Sequence, residues 1–249
     1  MKDINIIVPL AGVDKNFEDR GMIKPLTKVL NKEIIRWIEE SRPFSYKKAI
    51  FVILREHQER YGIGNELKRF FGEDIRIVVA EKMTEGSPQS ILLARDLINN
   101  DKELLIDLAD QYLDLLGFND FIRMKRDEVD GIIFTFKAYY WNQGYMIIGR
   151  DGFIKKISEK DKNPISEDST ACISYFRRGS DFVKYAEKMI NKKKTATNGT
   201  YLPSLVYNEM IKDGRKIIPA SCDFIVNLGR IEGINAFQQL NRPLKWKEN

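Results

Sequence analysis

The sequence is poor in the residues that build metal clusters and disulfide scaffolds. It contains one histidine, two cysteines and eight prolines in 249 residues. Cys172 and Cys222 stand in unrelated contexts without metal-ligand spacing, so they predict buried free thiols and argue against a zinc site or a disulfide framework. His57 lies in a charged helical start, which is typical of a surface residue and not of a catalytic base.

The sequence also lacks long apolar runs and a concentrated charge of one sign. No apolar segment approaches the roughly 20 residues that span a bilayer, and Met1 leads almost directly into a predicted strand without signal-peptide architecture. We therefore expect a cytoplasmic protein without a membrane partner. The net charge is +5, and its basic residues are scattered among acidic ones. Nucleic-acid binding would require a basic face with interleaved aromatics, whereas this balance suits a phosphorylated small molecule.

What is present is a globular composition, 43% hydrophobic and 31% charged, with short apolar runs separated by helical patterns. The runs predict strands at 5–10, 49–54, 75–79, 104–108, 131–136 and 170–176, and a hairpin over 145–157 that turns at Asp151-Gly152. Helical spacing predicts helices over 32–41, 56–71 and 232–240. It also predicts a helix that begins at 88, a helix that ends at about 191 and a helix that includes 205–211. Strands buried on both faces and alternating with helices predict an α/β fold with a parallel sheet.

The first strand leads into a loop suited to an anionic ligand. Gly12 allows backbone N–H groups to approach a phosphate closely, and charged side chains fill the turn that ends at Lys24. Lys15 and Arg20 are the other cations of this loop. Leu10 and Ala11 complete the segment that we expect to cradle the ligand.

Two later strand ends carry further candidates at the same predicted edge of the sheet. Glu85-Gly86 precedes a helix for which Ser87 is predicted as the N-cap; this turn suits either a ligand's base or phosphate or a simple well-capped core helix. Asp110 follows a buried strand, where a carboxylate is well placed to bind Mg²⁺. Asp107 points to the opposite face of that strand from its apolar neighbours and is a secondary candidate. Asp114 is a further candidate, although it more commonly marks a helix start.

Several motifs follow in an order that resembles the sugar-phosphate nucleotidyltransferase family. The similar segments are Gly12 to Phe17, Lys24-Pro25-Leu26, Thr84-Glu85-Gly86, Asp110-Gln111-Tyr112, Glu159-Lys160, Gly179 to Val183 and Asn198-Gly199. The resemblance runs from Ile6 to Leu240 and is greatest to the small single-domain branch associated with capsule and surface polysaccharides. It implies a Rossmann-like, three-layer α/β/α (GT-A-like) fold with a mixed, mostly parallel central sheet. It also implies one domain over 1–249, with a nucleotide-binding half at 1–115 and an acceptor-binding half at 130–230.

The resemblance implies an activity and a set of site residues. A phosphorylated acceptor, either a sugar 1-phosphate or a small phosphate monoester, attacks a nucleoside triphosphate, with a weak preference for CTP, and pyrophosphate leaves. Lys24 and Asp110 are the implied catalytic residues, and Asp110 with Asn227 holds Mg²⁺ or Mn²⁺. The implied nucleotide-binding residues are Leu10, Ala11, Gly12, Lys15, Arg20, Glu85, Gly86 and Ser87. The implied acceptor-binding residues are Glu159, Lys160 and Asn198; a homodimer is left open.

Several positions differ from the family pattern and keep alternatives open. Asp14, Asn16, Thr200 and Asn227 stand where the family has a glycine, an arginine, a glutamate and, in many relatives, an aspartate. A second hypothesis is therefore a nucleotide- or sugar-phosphate-binding protein with little turnover, since losing one such contact costs on the order of 10²–10³ in rate. Lys15 or Arg20 would have to replace the arginine. A third hypothesis, a nucleotide-sugar-dependent glycosyltransferase, would require Asp-x-Asp at Asp110-Gln111-Tyr112. Glu159-Lys160 also fits a simple surface ion pair.

Overall fold

The computed structural model describes residues 4–113, 127–139, 143–222 and 224–240. The candidate Asp114 lies outside the described residues. All further statements concern these four ranges.

The strands in the described residues are β1 Asn5–Leu10, β2 Lys28–Val29, β3 Lys32–Glu33, β4 Ile50–Leu54, β5 Arg76–Ala80, β6 Leu104–Asp107, β7 Gln111–Leu113, β8 Gly131–Lys137, β9 Gly144–Ile148, β10 Ile154–Glu159, β11 Asp168–Phe176, β12 Ile217–Ser221 and β13 Ile225–Asn227. Nine of these strands form a mixed central sheet with the path β10-β9-β11-β6-β1-β4-β5 and with β8 joining β11 to β12. Strands β1, β4, β5 and β6 are mutually parallel, whereas β11 runs antiparallel to β6. The other four strands form two small sheets, β2-β3 and β7-β13.

Helices cover both faces of the sheet. They are α1 Lys15–Glu18, α2 Ile34–Glu40, α3 Arg55–Tyr61, α4 Ile63–Phe71, α5 Ser87–Leu92, α6 Arg95–Ile98, α7 Gly179–Asn191, α8 Pro203–Lys212 and α9 Ile231–Leu240, with 3₁₀ turns at Lys24–Leu26 and Tyr46–Lys48. Successive residues of β1 point to opposite faces, as the strand geometry requires. Ile6 and Val8 pack with α2, α4 and α9, whereas Ile7 packs with α5, α7 and α8. The predicted three-layer α/β/α fold with a mixed central sheet is therefore confirmed.

The strand predictions agree with the structure to within about two residues, and the hairpin turns where Asp151-Gly152 was predicted, with Gly152 at φ 78°. The predicted helix over 56–71 is wrong as a single element. Gly62 adopts a left-handed conformation with φ 60° and divides it into α3 and α4. The predicted helix over 32–41 begins later, because Lys32–Glu33 form the short strand β3.

Two predictions about individual side chains have opposite outcomes. Cys172 and Cys222 are buried and free, as predicted. The surface location predicted for His57 is wrong, because this residue is 3% exposed and its Nε2 lies 3.0 Å from Glu18 Oε1. The charged neighbours of His57 in sequence belong to the exposed face of α3, while the imidazole faces the loop that carries α1. None of the helices in the described ranges is long and apolar enough to cross a membrane.

Candidate active site

The site forms where the carboxyl ends of the parallel strands meet. Strand β1 ends at Leu10 and leads into the Gly12 loop, β5 leads into Glu85-Gly86, and β6 leads into Asp110. Because these strands are parallel, the three segments emerge at one edge of the sheet, which is where open α/β sheets bind their ligands. The fold thus brings together candidates that are far apart in sequence.

Asp110 is held at this edge with an unsatisfied carboxylate oxygen. Ala109 adopts φ 50°, so the chain turns sharply between β6 and β7 and places Asp110 at the turn. The Oδ1 atom of Asp110 is inaccessible to solvent and has no hydrogen-bond partner among the described residues. Burial raises the pKa of Asp110, while the nearby positive charges of Lys24 and Lys160 act in the opposite direction. A buried, unpaired carboxylate oxygen is costly unless a partner completes it.

Asn227 and Lys24 converge with Asp110 around the small residue Gly229. Strand β13 pairs antiparallel with β7 and places Asn227 opposite Gln111. The Gly229 N–H donates to the Asp110 carbonyl at 3.0 Å and to Asn227 Oδ1 at 2.9 Å. A Cβ atom at Gly229 would lie 3.1 Å from Asn227 Oδ1, 3.2 Å from Asp110 Cβ and 3.4 Å from Lys24 Nζ. A side chain at position 229 would therefore crowd the space that these three groups share.

This donor set suits a small hard cation. Mg²⁺ prefers oxygen ligands and is usually held by one or two carboxylates together with substrate phosphates and water. Asp110 Oδ1 supplies an unpartnered carboxylate oxygen, and Asn227 Oδ1 retains a second lone pair beside it. The described residues contain no cluster of three or more histidine, cysteine, aspartate or glutamate side chains suited to a metal. The residues present therefore fit a metal that is shared with phosphates and do not form a metal cage on their own.

The first loop places its charges differently from the simplest expectation. Asp14 caps α1 by accepting the Asn16 N–H at 3.1 Å, and its carboxylate lies 3.9 Å from Lys24 Nζ. Lys15 and Arg20 are exposed and form no ion pair with a described residue. Gly12 is also exposed, and a Cβ atom there would meet nothing within 4 Å. Leu10 and Ala11 are buried at 7% and 3% exposure, and both belong to the hydrophobic core.

The Glu85-Gly86 turn is bonded to Tyr201, which is distant in sequence. Gly86 forms a parallel bridge with Tyr201, and a Cβ atom at Gly86 would overlap with the backbone of Tyr201. Tyr201 N–H donates to the Glu85 carbonyl at 3.0 Å. The prediction that Ser87 is the N-cap is wrong, because the helix begins at Ser87 itself and Gly86 occupies the cap position without a side-chain bond. The exposed carboxylate of Glu85 accepts from Gln89 Nε2 at 3.0 Å.

A cavity of about 190 Å³ extends from Asp110 and Asn227 to Glu159. Glu159 is 6% exposed, and it accepts hydrogen bonds from the Thr170 hydroxyl at 3.1 Å and from the Ser204 hydroxyl. Gly144 opposes Glu159 in the β9-β10 hairpin and leaves room for its carboxylate. Burial raises the pKa of Glu159, against the opposing effects of Ser204, Thr170 and Lys160. Glu159 is therefore a buried cavity residue and not part of a surface ion pair.

Of the two remaining acceptor candidates, Lys160 lines the cavity and Asn198 does not. Lys160 lines the cavity, adopts φ 59° and donates its N–H to the Gln143 carbonyl at 2.9 Å. Asn198 is exposed and does not line the cavity; its Oδ1 accepts the Thr200 N–H at 3.2 Å, which shapes the loop before Tyr201.

Sequence reasoning missed several cavity residues, among them Thr170, Ser204 and Arg230. The two hydroxyls lie on β11 and α8, and no local pattern distinguishes them from ordinary strand or helix-start residues. Arg230 directly precedes α9 and follows Gly229. Its place beside the Asn227 motif was the one signal that would have identified it.

Comparisons with known proteins relate the fold to a group of sugar nucleotide enzymes. No protein-family model and no curated protein matches the sequence. Among solved structures, a nucleoside-diphosphate-sugar pyrophosphorylase from Vibrio cholerae RC9 is similar with a TM-score of 0.77 and 15% identity, covering 94% of this chain and 99% of the other. A protein assigned as a glucose-1-phosphate thymidylyltransferase from Bacillus anthracis, in complex with sucrose, gives 0.74 and 15%, with coverages of 98% and 97%. A UDP-glucose pyrophosphorylase in complex with UDP-glucose gives 0.74 and 17%, with coverages of 96% and 98%.

At such identities the likeness establishes a shared fold over nearly the whole chain. It does not by itself transfer an activity, because one fold supports many functions. The residues of the site must carry the functional conclusion.

Proposed function

We propose that this protein is a nucleotidyltransferase that transfers a nucleoside monophosphate from a nucleoside triphosphate to a sugar 1-phosphate, with release of pyrophosphate. The observation that carries the proposal is the convergence of Asp110, Asn227 and Lys24 around Gly229, beside a cavity that Asp110, Asn227 and Glu159 line together. Groups suited to bind phosphates therefore lie close to a carboxylate suited to bind sugar hydroxyls. The names of the structurally similar proteins, all of which handle nucleotide sugars, agree with this proposal.

Each part of the site has a role in such a transfer. Lys24 would bind the phosphates of the nucleotide, and Lys160 with Arg230 would bind the phosphate of the acceptor. Glu159, fixed by two hydroxyl groups, would accept hydrogen bonds from sugar hydroxyls. Mg²⁺ or Mn²⁺, when bound by Asp110 and Asn227 together with the phosphates, would neutralise charge that develops during transfer. Little covalent help from the protein is needed, because positioning and charge neutralisation dominate phosphoryl and nucleotidyl transfer.

The finer parts of the proposal rest on the sequence resemblance. They are CTP as the preferred nucleotide, a small phosphate monoester as an alternative acceptor, a role in surface-polysaccharide precursor synthesis, a cytoplasmic location and a homodimer. The low density of positive charge around the phosphate loop supports dependence on a divalent cation, because Asp14 lies 3.9 Å from Lys24.

A second candidate is a protein that binds nucleotides or sugar phosphates with little turnover. Asn227 favours it, because a neutral amide binds a cation more weakly than the aspartate of many family members. The Asp14–Lys24 contact favours it as well, since the lysine must leave or share a carboxylate to reach phosphate.

The test measures pyrophosphate release from CTP, UTP, GTP, ATP and dTTP with Mg²⁺ or Mn²⁺, against a panel of hexose 1-phosphates and small phosphate monoesters. Acceptor-dependent release with one nucleotide, lost in an Asp110→Asn control, is the expected result. Thermal stabilisation by a nucleotide without any release would favour the binding protein and contradict the transferase. Release that is independent of acceptor would contradict transfer and indicate hydrolysis.

A further inference from the structure

A buried charged cluster lies directly beneath the turn that carries Asp110. It consists of Arg42, Asp107 and Tyr46, whose side chains all lie in the core. Arg42 donates to Asp107 twice, from Nε at 2.6 Å and from an Nη at 3.1 Å, and Tyr46 donates its hydroxyl to the same carboxylate at 2.6 Å. The side chains of Arg42 and Asp107 are both 0% exposed.

Stability alone is a weak reason for this arrangement. Removing two charges from water costs several kcal/mol per ion, and their attraction often does no better than well-packed apolar side chains. What a buried, bidentate arginine–carboxylate pair provides is fixed geometry. The backbone groups to which this cluster is bonded therefore indicate what it fixes.

Those backbone groups lie on both sides of Asp110. The Asp107 carboxylate accepts the Ala109 N–H at 2.9 Å, which secures the residue whose φ of 50° makes the turn. The Arg42 guanidinium donates to the Gln111 carbonyl at 2.9 Å. The cluster thus contacts the residues immediately before and after Asp110 and leaves the carboxylate of Asp110 free.

Through Gln111, the cluster is also connected to residues that line the cavity. Gln111 Oε1 accepts the Cys172 N–H at 2.8 Å, and Gln111 lies opposite Asn227 in the β7-β13 pair. The two residues that we assign to the metal are therefore both connected to Arg42 through one short segment of chain.

We propose that the Arg42–Asp107–Tyr46 cluster positions Asp110 for metal and nucleotide binding. This inference rests on the proposed function, because it presumes that Asp110 binds a metal with the nucleotide. The three residues act through the backbone of 109–111 and not by touching substrate. They are positioning residues, and a change that loosens the cluster without breaking its ion pair should impair metal binding more than nucleotide binding.

Tyr46→Phe is the most informative variant. Removing Asp107 or Arg42 would leave a buried charge without its partner and endanger folding, since an uncompensated buried charge is strongly destabilising. Tyr46→Phe removes one hydrogen bond to Asp107 and keeps the ring and the ion pair.

Tyr175→Phe is the matched control. Tyr175 is also 0% exposed, and its hydroxyl donates to the Glu103 carboxylate at 2.9 Å. Glu103 precedes the first residue of β6, whereas Asp107 is the last, so the control removes the same kind of bond at the opposite end of one strand.

The primary measurement is Mn²⁺ affinity, followed by electron paramagnetic resonance of free Mn²⁺, with each of the five nucleotides present in turn. We expect Tyr46→Phe to weaken Mn²⁺ binding about 3–10-fold, somewhat less than the 10–100-fold typical of residues bonded directly to a metal ligand. Tyr175→Phe should leave it unchanged. Nucleotide affinity without metal should be the same in the wild type and both variants.

The outcomes separate this inference from the proposed function. Equal Mn²⁺ affinity in the two variants would overturn the positioning role while leaving transferase activity intact. If Tyr46→Phe alone weakened Mn²⁺ binding and the wild-type protein released no pyrophosphate, the results would support the positioning role and contradict the transferase. A wild-type protein that binds no Mn²⁺ with any nucleotide would overturn both the metal assignment and the positioning role.

Discussion

Replacing Gly144 with alanine would test whether the buried carboxylate of Glu159 recognises the acceptor. A Cβ atom at position 144 would overlap with the Glu159 carboxylate and with the Thr170 hydroxyl that bonds to it. Both groups are buried, so neither can turn into solvent without breaking the hydrogen bond between them. The substitution therefore acts on the orientation of Glu159 while leaving its chemistry in place.

The magnitude follows from the packing of the site. Forcing an extra methyl group into a close-packed environment costs about 1–3 kcal/mol, which corresponds to a factor of about 5–150 in an equilibrium constant. We expect this factor to appear as a higher KM for the acceptor and a lower kcat/KM. Nucleotide affinity should change little, because the atoms that a Cβ at Gly144 would meet belong to Glu159 and Thr170 and not to the Gly12 loop or Lys24.

Gly149→Ala is the control in the same hairpin. Its Cβ atom would overlap with the Lys155 side chain and lie 2.6 Å from Asp151 Oδ1. These side chains are 49% and 51% exposed, so they can move aside at little cost. The two variants introduce the same methyl group with similar initial crowding and differ in whether the crowded neighbour can move.

The assay measures the acceptor dependence of pyrophosphate release, using the hexose 1-phosphate that gives the fastest release with wild-type protein. A double variant with Glu159→Ala completes a thermodynamic cycle, and there Gly144→Ala should add little to the acceptor KM. If Gly144→Ala and Gly149→Ala gave the same acceptor KM, Glu159 would not be the recognition group and the reasoning would fail.

Three further predictions concern other parts of the site. Gly229→Ala should weaken Mn²⁺ binding, because its Cβ atom would crowd Asn227 and Asp110, but it should shift the melting temperature little, since these neighbours still lie at 3.1–3.4 Å. Unchanged Mn²⁺ affinity by titration would contradict the proposal that the metal binds in the space around Gly229. Gly12→Ala should change the free energy of unfolding by no more than about 0.5 kcal/mol, because its Cβ atom meets nothing within 4 Å. It should nevertheless weaken nucleotide binding measured by calorimetry, and unchanged affinity would exclude a close approach of phosphate to this backbone. Glu159→Gln should raise the melting temperature at about pH 8, since burial raises the pKa of Glu159 and the charged form is disfavoured in the fold. That gain should shrink as the pH falls through the raised pKa and be absent below the ordinary carboxyl pKa of about 4.3; a gain independent of pH would show that the carboxylate carries no desolvation cost.

The parts of the fold that could be predicted from sequence are those specified by local chemistry. The run Ile50–Leu54 is buried at every position, which is typical of a central strand covered by helices on both faces. The Asp151-Gly152 turn was likewise recognisable, because glycine tolerates the positive φ that the hairpin needs. Asp110 was predicted as a metal ligand from its position after a strand; that role stays a prediction, and the buried, unpartnered Oδ1 atom is the observation that supports it.

The parts that could not be predicted depend on contacts distant in sequence. Arg42 stands between Ser41 and Pro43 after a helix, a context typical of an exposed residue, yet its partner Asp107 lies 65 positions away. In the sequence, Gly86 is typical of a helix start. The structure requires a glycine there because the backbone of Tyr201, more than 100 positions later, leaves no room for a Cβ atom. No local pattern reports such pairings, since they exist only after the sheet has assembled.

Asp14 shows how a departure from a family pattern is resolved by its local surroundings. Its carboxylate accepts the Asn16 N–H and so replaces the backbone flexibility of a glycine with a helix cap. The same carboxylate lies 3.9 Å from Lys24, whose charge also acts on Asp110. Lys24 is thus shared between two acidic side chains before any phosphate competes for it. Under the proposed function, the positive charge that a triphosphate requires would then come from the exposed Lys15 and Arg20 or from a divalent cation, so dependence on a divalent cation is the expected consequence of an aspartate at position 14.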